Sequence, residues 1–175
     1  MPGRGAAPDG RAPVGPAPGP APRPGAPPGP GPVPVRLPAD RTFLALVAAG
    51  PLAWALLALA LPADPASLPG PGTLAWGVLA APVLEELVFR GALQGALLER
   101  AALRRRRLGV SGANALASLA FAAAHLASQH PLMAASTLLP SLAFGACRDR
   151  YGSVVPGTLL HGFYNAGFLW LFARP

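Results

Sequence analysis

The chain has 175 residues, 52% of them hydrophobic and 12% charged, a size that allows one domain and a tail. All 14 basic residues are arginine, and with seven acids they give a net charge of +7. The arginines lie between apolar segments without aromatic–basic interleaving, which indicates membrane topology and argues against nucleic-acid binding. Cys147 is the sole cysteine, so an intrachain disulfide and a thiolate metal cluster are excluded, and we expect it to pack in the interior.

Residues 1–40 form a low-complexity segment that is rich in proline, glycine and alanine. Such a composition cannot bury enough apolar surface to offset its ordering entropy, so we expect a disordered N-terminal tail. The segment lacks the apolar stretch of a secretory signal peptide. Its composition is also what GC-rich coding produces, which is compatible with a translation start nearer Val35.

Residues 41–175 alternate apolar runs with short polar or breaker-rich loops and form the expected transmembrane domain. A run of roughly 20 apolar residues can cross a hydrocarbon core of about 30 Å. We expect about five membrane-spanning helices, and therefore an all-α polytopic membrane helix bundle. The predicted spans are residues 42–61, 73–98, 111–128, 132–147 and 151–172.

The arginine content of the loops predicts an orientation in the membrane. Arginine lies beside the first span, in the loop of residues 99–110 and in the loop of residues 148–150. The loops of residues 62–72 and 129–131 contain none. The positive-inside rule therefore places the N-terminus in the cytoplasm and the C-terminus outside.

The second predicted span carries three ionisable side chains, Glu85, Glu86 and Arg90. An ionised group at bilayer depth costs roughly 2.5 to more than 10 kcal/mol, so these groups must face the interior and compensate one another. Glu86 and Arg90 are four residues apart and can pair on one helix face. Glu85 is rotated by about 100° from Glu86, so the two carboxylates can have different partners, and one can serve as a general base.

Two further spans carry polar side chains at the same spacing. Phe121 and His125 share one face of the third span, and His161 and Asn165 share one face of the fifth. Taken singly, each histidine reads more readily as a hydrogen-bonded core group, and Asn165 as a link between helices. Their joint occurrence with the acidic segment predicts a polar site inside the bundle. His130, in a loop, is assigned no function.

These three patterns mark a protein family. EELVFR at residues 85–90, FAAAH at 121–125 and HGFYN at 161–165 match its EExxxR, FxxxH and HxxxN motifs in order. Over residues 73–170 the chain resembles the CPBP intramembrane proteases, also called the CAAX-protease and bacteriocin-processing, or Abi, family. Members commonly have more helices than five, so the chain is similar to a minimal version. LEELVFRGALQG and GSVVPGTLLHGFYNAG also resemble bacterial members that pair with C-terminal protein-sorting signals.

The resemblance implies an intramembrane glutamic-type endopeptidase. By position, Glu85 and His125 would activate a water molecule for attack on the scissile carbonyl. His161 and Asn165 would donate hydrogen bonds to the developing oxyanion. The second glutamate and the arginine of the first motif, Glu86 and Arg90, would orient and neutralise the site.

The aromatic residues of the motifs, Phe89 and Phe121, are the predicted substrate-binding residues. The implied partners are a membrane-anchored protein substrate and the lipid bilayer, and the implied location is a bacterial inner membrane. The oligomeric state stays open.

Other chemistries and functions stay open at this point. No cofactor is expected, but Glu85, His125 and His161 could together hold Zn²⁺ as an alternative. The acidic segment lacks the histidine pair of a helical zinc site. A non-proteolytic immunity protein of the same family, or a small transporter that uses the acids as a proton relay, are the alternative functions.

Overall fold

The computed structural model describes residues 37–60, 69–107 and 109–172. Most of the predicted tail, residues 1–36, lies outside the described residues, as do residues 61–68 of the first loop. The described parts are almost entirely helical, which confirms the all-α fold class.

The described ranges contain helices, short 3₁₀ turns and one pair of short strands. Helices α1 to α6 comprise Arg41–Ala60, Pro71–Leu98, Gly112–His125, Pro131–Ser136, Leu138–Tyr151 and Val155–Phe172. Short 3₁₀ turns occupy Leu37–Ala39 and Ala101–Arg104. Strands β1, Arg106–Arg107, and β2, Val110–Ser111, pair in antiparallel fashion between α2 and α3.

Among the residues that the structure describes, two helices are long and apolar enough to cross a membrane, residues Arg41–Leu59 of α1 and the whole of α2. Only 6% and 11% of their most apolar segments are buried, whereas a core helix of a soluble protein would be mostly buried. With 28 residues, α2 extends over about 42 Å. With 14 residues, α3 extends over about 21 Å, less than the hydrocarbon core of about 30 Å. The count of five spans stays a prediction.

The outside of the bundle is apolar. Leu59, Leu132 and Leu139 are 86%, 74% and 76% exposed, whereas the ionisable side chains of Glu86 and Arg90 are fully buried. An apolar exterior around polar interior groups is the arrangement that a lipid environment favours.

Two boundaries in the second half differ from the sequence prediction. The predicted fourth span is interrupted at Thr137, between α4 and α5. Helix α5 then continues through residues 148–150, which the sequence analysis assigns to a loop, and ends at Gly152 with φ 66°. The charged residues are compatible with a helix here because cations in a last turn interact favourably with the helix dipole.

Helix α2 is π-helical at Ala75–Ala80 and at Leu87–Leu93. Its buried residues recur at every fourth position: Pro82, Glu86, Arg90 and Gln94. In a regular α-helix, residues four apart drift by about 40° around the axis at each step. The wider turns of the π-helical segment oppose this drift. Because of this, the polar side chains of α2 stay on one inward face.

Helix α6 packs against α1, α2 and α5. A β-carbon at Gly162 would lie 2.6 Å from the carbonyl oxygen of Val78, so the approach of α6 to α2 requires glycine here. Phe144, Cys147 and Leu160 form the buried hydrophobic cluster between α5 and α6. These contacts bring the fifth-span motif against the acidic motif of α2.

Candidate active site

His161 lies between the two adjacent glutamates of α2. Its Nδ1 is 3.2 Å from Oε1 of Glu86, and its Nε2 is 3.6 Å from Oε2 of Glu85. The side chain of Glu86 is fully buried, whereas that of Glu85 is 32% exposed. The imidazole therefore has a closed side toward Glu86 and an open side toward Glu85.

Glycine and phenylalanine residues shape the space around this histidine. A β-carbon at Gly157 would lie 3.0 Å from Oε2 of Glu86, so glycine leaves room for the carboxylate. The ring of Phe144 stacks on the imidazole at 4.5 Å, with 14° between the planes. Phe121 approaches it edge-on at 5.8 Å. The imidazole is thus held in place by packing on its faces.

The partners of Glu86 determine the tautomer of His161. Oε2 of Glu86 is 3.4 Å from Nε of Arg90, so we assign Glu86 as an ionised carboxylate that only accepts hydrogen bonds. Nδ1 of His161 is therefore the donor to Glu86. In the neutral imidazole Nε2 then carries the lone pair, and it faces Glu85. Nε2 and Oε2 of Glu85 are 3.6 Å apart, slightly more than a hydrogen-bond distance.

Arg90 is fully buried and is held by residues of two other helices. Its Nη1 donates to Oγ of Ser118 at 3.3 Å, and its Nη2 donates to the carbonyl oxygen of Ser141 at 2.8 Å. Its guanidinium carbon lies 5.7 Å from the centre of the Phe121 ring. The buried charge of Arg90 is therefore compensated both by Glu86 and by neutral acceptors.

Sequence reasoning did not assign a role to four further buried polar residues, which are Gln94, Asn114, Ser118 and Ser141. Gln94 donates to the carbonyl oxygen of Gly145 at 3.0 Å and to Oδ1 of Asp149 at 2.9 Å. Two signals were present in the sequence. Gln94 continues the four-residue repeat of Glu86 and Arg90, and Asn114 and Ser118 are themselves four apart in an apolar span.

His125 makes no polar contact with the acidic motif of α2 in the described residues. No hydrogen bond or ion pair joins it to Glu85 or His161 in the described part of the chain. Its Nδ1 is 2.9 Å from the carbonyl oxygen of Phe121, which can only accept, so Nδ1 carries the proton. Nε2 is consequently the acceptor atom of the neutral ring.

Asn165 links α6 to the first π-helical segment of α2. Its Nδ2 donates to the carbonyl oxygen of Gly77 at 2.9 Å. This contact matches the alternative role of a link between helices. A side-chain amide has two N–H groups, so a second donor is left for a ligand.

The two predicted substrate-binding residues pack against each other. The rings of Phe89 and Phe121 lie 5.1 Å apart in an edge-to-face arrangement. Phe121 is 2% exposed and also contacts His125 at 4.4 Å, so it is a packing residue at the centre of the site. Phe89 is partly exposed and is the more accessible of the two.

The alternative zinc set of Glu85, His125 and His161 is not assembled in this arrangement. Within residues 37–60, 69–107 and 109–172, no group of three or more histidine, cysteine, aspartate or glutamate side chains has an arrangement that could hold a metal ion. Glu85 and His161 are neighbours, whereas His125 donates to its own helix.

Residues 67–167, more than half of the chain, match the family Rce1-like, described as Type II CAAX prenyl endopeptidase Rce1-like. The matched range contains all three motifs, from Glu85 to Asn165. Comparisons with curated proteins and with solved structures gave no match. The resemblance noted from the motifs is thereby confirmed. The chain is an integral membrane protein that belongs to the Rce1-like family, a family of CAAX-type intramembrane proteases.

Proposed function

We propose that this protein is an intramembrane endopeptidase that hydrolyses a peptide bond of a membrane-anchored protein, with Glu85 as the general base. The observation that carries the proposal is the position of His161 between two carboxylates of unequal exposure. Glu85 is the one that a water molecule and a substrate can reach. Glu86 is sealed and serves to hold the imidazole.

The proton transfers follow from this geometry. Glu85 takes a proton from the attacking water, and Nε2 of His161 lies next to it to receive that proton and pass it to the leaving amine. Glu86 stabilises the imidazolium that forms, and Arg90 keeps Glu86 ionised. His161 is better suited to this transfer than to oxyanion binding, because in the neutral ring its only N–H points at Glu86.

Asn165 and His125 are the two predicted residues left to contact the oxyanion and the attacking water. The second N–H of Asn165 can donate to the developing negative charge. Nε2 of His125 can accept a hydrogen bond from the attacking water once a bound substrate tightens the site, since catalytic contacts are often long before substrate binds.

The substrate class divides into two candidates. The family description names a CAAX prenyl endopeptidase, which favours a prenylated C-terminal peptide. The resemblance to bacterial members favours instead an anchoring helix that is part of a C-terminal sorting signal. The two differ in whether the substrate carries a prenyl chain.

The test is to offer two probes to the purified protein in lipid vesicles and to measure the cleavage of each. One probe is a farnesylated peptide that ends in a CAAX sequence. The other is a reporter protein with a C-terminal apolar helix followed by an arginine cluster. Cleavage of one and not the other assigns the substrate class.

Glu85→Gln keeps the size and hydrogen bonding of the side chain but cannot take the proton. Glu99→Gln, at an exposed acid just beyond α2, is the matched control. We expect loss of cleavage in the first variant and wild-type cleavage in the second. Retained cleavage by Glu85→Gln at the wild-type protein level would remove Glu85 from the mechanism, and with it the basis of the proposed function.

A further inference from the structure

We propose that Ser118 and Ser141 are positioning residues that keep Arg90 from forming a two-pronged ion pair with Glu86, and thereby hold the reactive tautomer of His161. This inference rests on the proposed function in one respect, the catalytic use of His161. Its central claim concerns the position of a proton and can be measured without a substrate.

The starting observation is a hydrogen bond that is not made. Nε of Arg90 and Oε2 of Glu86 lie 3.4 Å apart, and both atoms are buried without a hydrogen-bond partner among the described residues. Arginine–carboxylate pairs frequently form two parallel hydrogen bonds, and a buried polar atom without a partner is unfavourable. Some other contact must therefore direct the guanidinium away from Glu86.

The two serines provide these contacts from two different helices. Ser118, on α3, accepts from Nη1 of Arg90, and Ser141, on α5, accepts from Nη2 through its carbonyl oxygen at 2.8 Å and also through its hydroxyl. Nη2, which a two-pronged pair would need, directs both of its N–H groups at Ser141, and Nη1 directs one of its two at Ser118. The guanidinium therefore presents only Nε toward Glu86.

Ser118 is fixed in the accepting role by Asn114. The hydroxyl of Ser118 donates to Oδ1 of Asn114 at 3.0 Å, so its oxygen is left to accept from Arg90. Asn114 is anchored in turn, because its Nδ2 donates to the carbonyl oxygen of Leu142 at 3.0 Å. A β-carbon at Gly145 would overlap Oδ1 of Asn114, so this glycine makes room for the amide.

The position of Arg90 affects the hydrogen bond between Glu86 and His161. While Arg90 is held by the serines, Oε1 of Glu86 is free to accept from Nδ1, at 3.2 Å. If the guanidinium closed on both oxygens of Glu86, Oε1 would be shared between two donors and its bond to Nδ1 would weaken. The proton could then move to Nε2, where it would pair with Glu85 and occupy the base.

The experiment is ¹⁵N NMR of histidine-labelled protein in detergent micelles, because the two imidazole tautomers have different ¹⁵N shifts. The chain has three histidines, so His125→Gln and His130→Gln variants assign the signals. We expect the wild-type His161 to be protonated on Nδ1. In a Ser118→Ala/Ser141→Ala double variant we expect a mixture of tautomers.

In the same double variant, cleavage of the probe that the wild type cleaves should slow by about 10²-fold, the scale of a small misplacement at a reacting centre. The pH–rate profile of the double variant should change as well. Ser136→Ala is the control, since this exposed serine bonds only to the carbonyl oxygen of Met133 in its own helix. We expect it to leave the tautomer, the pH–rate profile and the activity unchanged.

An unchanged His161 signal in the folded double variant would overturn the proposal, whatever the activity. If the double variant does not accumulate, Ser118→Ala alone decides, because it removes that residue's acceptor for Arg90 completely, whereas residue 141 would keep its carbonyl acceptor. A wild-type tautomer in that variant also overturns it. Either result leaves the Glu85→Gln test of the proposed function unaffected, so the two proposals fail separately.

Discussion

The site has two ends that differ in access, although they are one helical turn apart. At the Glu85 end, the carboxylate is partly exposed and lies 3.6 Å from its histidine partner. At the Arg90 end, the side chains of Glu86 and Arg90 are fully buried, and Arg90 is held by residues of α3 and α5. A reacting group must admit water and substrate, whereas a group that holds another in place must not move. Substitutions at the two ends should therefore fail in different ways.

Arg90→Ala should have the largest effect, on folding and activity together. It leaves Glu86 buried without its counter-charge, a loss of about 3–5 kcal/mol for a broken buried pair. The melting temperature in detergent and the yield of monodisperse protein both measure this loss of stability. Normal yield and melting temperature in this variant would show that the closed end does not depend on the ion pair.

Glu85→Gln should reduce activity by about 10²–10⁴-fold, the range for a lost general base. Its melting temperature should stay near that of the wild type, because the side chain is partly exposed and the amide has the same size. Glu85→Gln should therefore lose activity without losing stability, whereas Arg90→Ala should lose both. A large drop in melting temperature for Glu85→Gln would mean that both ends are structural.

Asn165→Ala should reduce kcat by about 10²–10³-fold if its amide donates to the oxyanion. It should also remove the link to the carbonyl oxygen of Gly77, so a modest fall in melting temperature is expected. Asn165→Asp keeps the side-chain size but replaces the N–H donors by an acceptor, so it removes both the link to Gly77 and the donation to the oxyanion. Full activity of Asn165→Asp would leave Asn165 with the linking role alone.

The smallest effect is expected far from the site, at the start of α1. The guanidinium of Arg150 lowers the pKa of Asp40 to about 2, and Asp40 also caps α1 through the amides of Thr42 and Phe43. Because the folded-state pKa is lowered, this stabilisation is present above the ordinary value of 3.8. It is lost as the pH falls from there through about 2.

Asp40→Asn keeps a good capping residue but removes the charge. The variant should therefore melt slightly below the wild type at pH 6, and the difference should disappear as the pH approaches 2. Melting temperatures across this range test the sign of the effect, with activity at neutral pH as the control. A difference that grows toward low pH would contradict this assignment of the ion pair.

The helices themselves could be predicted from hydrophobicity. The predicted spans of residues 42–61 and 73–98 lie within two residues of α1 and α2, wherever the structure describes them. The prediction was poorer where polar residues sit inside helices. The charged run at residues 148–150 indicated a loop. In the structure Asp149 accepts hydrogen bonds from the side chains of Ser111 and Gln94, and α5 continues through this residue.

The motif spacing by itself determined that Glu86 and Arg90 pair, because residues four apart on a helix are neighbours whatever the rest of the fold does. It also determined that the charged residues of α2 face inward, since an ionised group is costly in lipid. Which histidine meets the acids was decided by tertiary structure alone. Gly162 and Gly157 let α6 approach α2, and so His161, rather than His125, lies beside Glu85. Contacts between helices depend on such close approaches, and no spacing within a single helix encodes them.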